Sequence, residues 1–360
     1  MKKIEQKDLF ELKNVAQPVV AGGDIFFTET KMNEKKNTYE TAVYKYTNEG
    51  KVAYGDDGTV NSSLQVSPDG KWISFVSNEG EDKTPQLKVQ AVTGGKAITL
   101  TQEKKGVSVY VWGKDSQSIY YQTTKADEEE KKEEFPQPII VEKITYRFDG
   151  GTFLPNKETT QIKQVEVSTK EVKTLFETEE SIFFRDVLHD GGSLIVDRDL
   201  SNIRWTLDSA EACYVDVATG DIHPILEAGT DESYRYILDS KEGVILAYNS
   251  GEHGFVTQVD IVFNKEGQPG TEGSILNLTS GLDVEWGDWL VADFQQSVTG
   301  VEPQWMDKDS FLVSASVEGK IVLYRLFLDG RNEVLFDKEV HITGAKIISE
   351  KELVITYSTT

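Results

Sequence analysis

Side chains able to do chemistry are few and scattered in this 360-residue chain. Gly106-Val107-Ser108-Val109-Tyr110 begins like the G-x-S-x-G elbow that exposes a nucleophilic serine. Its fifth position is Tyr, and its alternation is that of a strand, not of the strand-to-helix turn an elbow needs. His189, His223, His253 and His341 show no metal-like spacing and no visible triad partners. Cys213 is the one cysteine, which excludes an intrachain disulfide and a Cys-rich zinc site. It alternates into a strand as Ala212-Cys213-Tyr214-Val215 and reads as a buried, inert thiol. Asp283, Glu285, Asp288 and Asp293 gather around Trp286 and Trp289. They read as a structural loop or as a holder for a cation or a peptide amine. The run Asp127 to Glu134 reads as a solvated loop tip, with a gate repelling acidic peptides as the sharper alternative. Tyr146, Arg147 and Asp149 share one segment, in which a guanidinium can pair bidentately with a carboxylate. That pairing would pin a long insertion, or else reach a substrate or a partner domain. There is no P-loop, G-x-G-x-x-G, H-E-x-x-H or EF-hand loop, so no cofactor and no metal are expected.

The elements that must position these residues are short strands. Ile73–Val76, Leu87–Val92 and Ile321–Leu326 are rich in β-branched and aromatic residues and are bounded by turn formers. Trp72, Trp112 and Trp305 fall at or beside strand starts and are expected to pack between sheets, while Trp205 falls in a loop. An ordered pattern of strand, turn, strand and Gly or Lys turn recurs, most clearly over 67–101 and 306–336. One reference position before the second strand of each copy gives Asp24, Trp72, Ser118, Ser193, Gly243, Ser310 and Glu352. Successive intervals are 48, 46, 75, 50, 67 and 42 residues. A period of about 40–50 residues with four short strands marks a β-propeller. Seven copies predict an all-β, seven-bladed β-propeller formed by residues 1–360 as one domain. The two long intervals place insertions at about 125–155 and 279–301. Two stacked β-sandwiches are the alternative. The last copy has two strands instead of four. Leu9–Val20 is available to fill one of the missing places; otherwise the chain ends on an exposed sheet edge, open to pairing with a second copy.

The balance of 38 Lys+Arg against 61 Asp+Glu gives a formal charge of −23. This argues against nucleic-acid binding, which needs a basic footprint, and against an anionic membrane surface. The first fifteen residues carry no apolar signal-peptide core, and no run approaches 18 apolar residues. A cytoplasmic location is expected.

Two segments carry a family resemblance. Ile144–Phe153 (ITYRFDGGTF), followed by Gln161–Val167, resembles the Tyr-Arg-x-Asp-Gly-x-Gly segment of prolyl oligopeptidase family propellers, with the acylaminoacyl-peptidase branch nearest. Leu278-Thr279, Asp283, Gly287-Asp288-Trp289 and Asp293, leading into Pro303-Gln304-Trp305, resemble the stretch ahead of that family's sixth blade. Ser67-Pro68-Asp69-Gly70 is a turn shared with TolB-like propellers. Thr152 stands where the family has Gly, and Met306-Asp307-Lys308-Asp309 where Ser-Pro-Asp-Gly is usual. The resemblance implies a noncatalytic propeller that restricts short peptides to the active site of a C-terminal α/β-hydrolase domain, which this chain lacks and a larger parent polypeptide would carry. A free-standing propeller that binds proteins or peptides is the alternative. A propeller lyase or glycosidase, with carboxylates in the central channel, is a third class.

Overall fold

The computed structural model describes residues 3, 5–54, 60–79, 83–126, 138, 140–144, 146–147, 158–188, 191–265, 274–290 and 300–359. Nearly all of the regular structure is antiparallel strand. The first sheet holds β1 (Lys13–Ala21), β2 (Asp24–Asn33), β3 (Thr38–Thr47) and β4 (Gly50–Ala53). The second holds β5 (Asn61–Val66), β6 (Trp72–Ser77), β7 (Gln86–Ala91) and β8 (Ile98–Thr99). The third holds β9 (Val109–Trp112), β10 (Ser118–Thr124), β11 (Thr160–Glu166) and β12 (Val172–Thr178).

A single parallel bridge, Ala210 to Ser233, merges the next two strand groups into one eight-stranded sheet. Its first half is β13 (Ile182–Val187), β14 (Ser193–Asp199), β15 (Ala210–Asp216) and β16 (Ile222–Pro224). Its second half is β17 (Ser233–Ser240), β18 (Gly243–Asn249), β19 (Asp260–Lys265) and β20 (Ser274–Asn277). In the following sheet β21 (Glu285–Trp286) and β22 (Gln304–Trp305) both pair with β23 (Ser310–Val317), and β24 (Lys320–Phe327) and β25 (Asn332–Phe336) complete it. The last sheet is the hairpin of β26 (His341–Ser349) and β27 (Glu352–Ser358). The reference residues Asp24, Trp72, Ser118, Ser193, Gly243 and Glu352 are each the first residue of the second strand in their group, and Ser310 is the first residue of β23, which follows the two short segments β21 and β22.

Local chemistry explains the turns that make this repeat. In Ser67-Pro68-Asp69-Gly70 the Ser67 hydroxyl donates to Asp69 Oδ1 (2.7 Å) and accepts the Trp72 N–H (3.0 Å). Gly70 takes the positive φ of 70°. The Ser67 bond, with those from Lys71, holds the Asp69 carboxyl down at about 2. Asp115 repeats the device by accepting the Gln117 and Ser118 N–H groups (2.8 and 3.0 Å). Met306-Asp307-Lys308-Asp309 keeps it too, since Asp307 accepts the Asp309 N–H (2.8 Å). The departure from Ser-Pro-Asp-Gly therefore preserves the turn.

Alternation along each strand sends side chains to both faces, and each face meets a neighbouring group. Leu194 and Val196 of β14 pack with Tyr120 and Ile162 of the third sheet, while Ile195 between them packs with Tyr234 and Leu246 of the fifth group. Trp72 and Trp112 pack between the second and third sheets, and Trp305 packs against Phe311. Burying each such large apolar side chain stabilises the fold by about 1.5–3 kcal/mol.

Polar bonds join the inner strands, first or second, of successive groups. Gln17 accepts the Leu64 N–H (3.1 Å), Gln65 donates to the Tyr110 carbonyl (2.9 Å), and Gln122 accepts the Phe184 N–H (2.7 Å). Asp197 accepts the Tyr236 N–H (2.9 Å), Trp305 donates to the Asp239 carbonyl (3.0 Å), and Gln304 accepts the Ile347 N–H (3.4 Å). The last group meets the first where the Thr343 hydroxyl donates to the Val15 carbonyl.

Residues 13–20 of the N-terminal segment do not enter the last sheet. They lie in β1, which pairs with β2 across the two-residue turn Gly22-Gly23 (φ 59° and 86°). A Gly-Gly loop with both φ positive is the connection that matches hairpin twist, and this local pairing wins over the distant one. Among the described residues, β27 has β26 as its only ladder partner.

Candidate docking face

In an antiparallel four-stranded group, the second-to-third connection lies at the same end of the sheet as the entry to the first strand. The two other connections lie at the opposite end. Bonds between groups keep these ends aligned. Arg204, between β14 and β15, donates to the Gly229 carbonyl (2.6 Å) just ahead of β17. Gln258, between β18 and β19, donates to the Leu282 and Val284 carbonyls (2.8 and 3.0 Å) ahead of β21. At the opposite end the Asp69 N–H donates to Ser116 Oγ (2.9 Å) across two first-to-second turns.

The exposed large apolar residues outside strands, among the described ones, all fall at the first of these ends. Leu9, Phe10 and Leu12 precede β1. Ile140, Val141 and Tyr146 lie between β10 and β11. Ile203, Trp205 and Leu207 lie between β14 and β15, and Val256 between β18 and β19. Trp289, between β21 and β22, is drawn to the same end because its N–H donates to Ser316 Oγ (2.9 Å) near the end of β23. Among the described residues, the opposite end carries polar turns such as 67–71 and 113–117.

Trp205 is the sharpest case. It ends a single helical turn (Ser201–Arg204) in the left-handed conformation (φ 55°, ψ 41°) while remaining 66% exposed. That conformation costs a non-glycine residue about 1–2 kcal/mol, and an exposed ring recovers little of it by burial. Arg198 and Arg204 converge on Glu211 (2.8 and 3.2 Å), and Arg204 also donates to Ser209 Oγ (2.9 Å), so the turn is braced from below.

Tyr146 and Arg147 are exposed at this same end. Asp149 lies outside the described residues, and with it the expected Arg147–Asp149 pair. The charge run 127–134 and Asp293 also lie outside them. Ser108 sits immediately before β9 with its N–H and Oγ on the Gln122 carbonyl (3.0 and 3.2 Å), in strand geometry and not at an elbow. Cys213 is buried, and burial pushes its thiol up to about 12. In the acidic loop, Asp288 Oδ2 sits 2.7 Å from His341 Nε2, a partly buried pair across 53 residues. Among the described residues, no group of three His, Cys, Asp or Glu side chains could hold a metal ion. Among the described residues, no helix is long and apolar enough to cross a membrane.

Sequence reading missed the one-ended distribution of apolar residues and the Asp288–His341 contact. A usable signal was present in Ile203-Arg204-Trp205-Thr206-Leu207, where apolar residues alternate outside any strand.

Comparison with known proteins identifies the architecture. No protein-family model matches the chain. An uncharacterized peptidase of Bacillus subtilis strain 168, YuxL, is 27% identical over 186 residues, covering 49% of this chain and 28% of that protein. The acylaminoacyl peptidase of Pyrococcus horikoshii superposes with a TM-score of 0.68 at 18% identity, covering 96% of this chain and 49% of that one. The β-propeller domain of the trilobed protease from Pyrococcus furiosus superposes with a TM-score of 0.61 at 16% identity, covering 93% of this chain and 87% of that one. The chain thus spans about half the length of the solved acylaminoacyl peptidase, and its match covers just over a quarter of the curated relative. Its fold is that of the β-propeller domains of such peptidases.

Proposed function

We propose that this chain is the noncatalytic propeller of an acylaminoacyl-peptidase-like serine oligopeptidase. Its seven blades, with insertions at about 125–155 and 279–301, form one domain. Its apolar end docks on the α/β-hydrolase domain of the parent polypeptide, and the cavity between them admits short peptides while folded proteins are too wide to enter. In this reading Tyr146, Arg147 and Asp149 contact the substrate or the partner domain. The observation carrying this reading is the confinement of exposed loop apolar residues to one end, Trp205 held there at a conformational cost. Residues that neither fill a core nor relax their backbone are best explained by a partner that covers them. The propeller of the trilobed protease is described as having an open velcro topology. The same arrangement, with no strand shared between first and last blades, fits β1 pairing with β2.

The test has two arms. The purified chain should neither hydrolyse acyl-amino-acid nitroanilides nor be labelled by a fluorophosphonate; stoichiometric labelling would refute the noncatalytic role. The chain should also bind the separately produced α/β-hydrolase domain encoded with it. Trp205→Ser combined with Leu207→Ser should weaken that association at least tenfold, with thermal stability unchanged. Undiminished association in the double variant would remove the proposed face, and the absence of an encoded hydrolase domain would favour a free-standing binding scaffold.

A further inference from the structure

The innermost strands of the first, second, sixth and last groups line an open cavity of about 240 Å³. Its wall is formed at Gln17–Val19 of β1, Ser63–Val66 of β5, Gly300 to Gln304 leading into β22, and Gly344–Lys346 of β26. Two of these strands are bulged with a non-glycine residue at positive φ, Gln17 (51°) and Ser63 (56°). Such bulges re-aim side chains and recur beside functional sites.

The polar groups of the wall divide into two kinds. The side-chain amides are tied into the frame: Gln17 to the Leu64 N–H, Gln65 to the Tyr110 carbonyl, and Gln304 to the Ala345 carbonyl (2.9 Å). Lys346 is different. Its side chain is partly buried, and its ammonium makes no hydrogen bond or ion pair among the described residues. The one charge that acts on it is Glu302, also in the wall. Burying an ammonium with three idle donors is costly unless an acceptor arrives. A space of this size exceeds the ~30 Å³ of a single water several-fold. On a chain of net charge −23, Lys346 is a local exception that favours an anion.

We infer that this cavity binds a carboxylate on the Lys346 ammonium, supplied by the C-terminus of a short peptide or by a free amino acid, with Glu302 facing the ligand's amino group. The inference goes beyond the docking reading and holds whether or not a hydrolase domain is attached. The carboxylate would take the idle donors in a charge-assisted bond, and the fixed amides would limit the shape of the rest of the ligand.

Isothermal titration of the whole chain tests it, using Gly-Gly, glycine and the carboxylate-free analogue Gly-Gly-amide. Gly-Gly or glycine should bind and the amide should not; tighter binding of Gly-Gly identifies a peptide end as the source, and tighter binding of glycine a free amino acid. Lys346→Met keeps the length of the side chain and removes its charge, and should weaken carboxylate binding by about tenfold or more. Unfolding by urea serves as the control, and this variant should be at least as stable as the parent. Equal binding of the amide, unchanged affinity in Lys346→Met, or no binding of either carboxylate at about 10 mM would overturn the assignment.

Discussion

Gly344→Ala probes how the last group of strands holds the first. Gly344 lies at the bulge of β26, and its backbone does not need glycine's left-handed freedom. What it needs is space. A Cβ there would stand 2.5 Å from Pro18 Cδ, 3.1 Å from Thr356 Oγ1 and 3.2 Å from the Gln17 backbone nitrogen. The first distance is about 1 Å inside ordinary contact, and neither the proline ring nor the bulged β1 backbone can swing aside like a flexible side chain. Overpacking of this kind costs about 1–3 kcal/mol. If the chain unfolds as one unit, an unfolding entropy of about 2.1 cal/mol/K per residue converts this to a fall in Tm of about 1–4 °C. Urea titration gives the free energy directly. The diagnostic quantity is the coupling with Pro18→Ala, which deletes the clashing Cδ. The double variant should recover about 1 kcal/mol or more relative to the sum of the single changes, since the two sites share a contact. Additive effects, or a cost of Gly344→Ala below about 0.5 kcal/mol, would mean that β1 and β26 do not pack together in solution. The ring would then not be closed by this contact.

Three other perturbations read different parts of the structure. Glu211→Ala removes the carboxylate shared by Arg198 and Arg204 and frees the Ala228 N–H. It should cost about 3 kcal/mol in urea unfolding, the low end for a broken buried pair because both guanidiniums keep some solvent access; a loss under 1 kcal/mol would show the cluster to be incidental. Asp186 is partly buried, accepts the Tyr236 hydroxyl (2.9 Å) and feels Asp239, and desolvation raises its carboxyl above the ordinary value of 3.8. The folded state therefore holds that proton more tightly than the unfolded chain, so the resulting stability is present below about pH 4 and is lost as pH rises through the folded value. Asp186→Asn should remove that loss and gain on the parent between pH 4 and 7, and an opposite trend in pH-dependent unfolding would refute the assignment. Cys213 should react with Ellman's reagent only when the chain is unfolded, giving one thiol; rapid labelling of the native chain would contradict its burial.

What could be read from the sequence was local. The first residue of every second strand was marked by a preceding Asp, Gly or Ser turn, because such a turn closes on its own side chains: Ser67 on Asp69, Asp115 on Ser118. Membership of β1 was legible as well, in Gly22-Gly23, but the short last copy drew attention to the wrong end of the segment. The contacts that could not be read join residues far apart. Asp288 meets His341 across 53 positions, and Lys346 shares a wall with Gln17. Their residue types are ordinary, and only the stacking of the sheets makes them neighbours.

The same distinction separates structural from functional polarity in this fold. Where sheets face one another, Ser74 shows a buried polar group with fixed partners: its Oγ receives the Trp112 indole N–H (2.7 Å) and is hydrogen-bonded to the Tyr110 hydroxyl (2.9 Å). Such groups specify which sheet lies beside which. Lys346 and Trp205 depart from this pattern in opposite senses, one a partly buried charge with no bonding partner among the described residues, the other an apolar ring kept in water. A sequence under selection for stability alone would replace either at a gain: an apolar side chain of similar length at 346, or glycine at 205 to relax the backbone. Local rules tend to be broken at functional sites, where the loss of stability is offset elsewhere. Both exceptions lie at the edges of the packed sheets, in the channel and on one end of the propeller, where a ligand or a second domain can reach them.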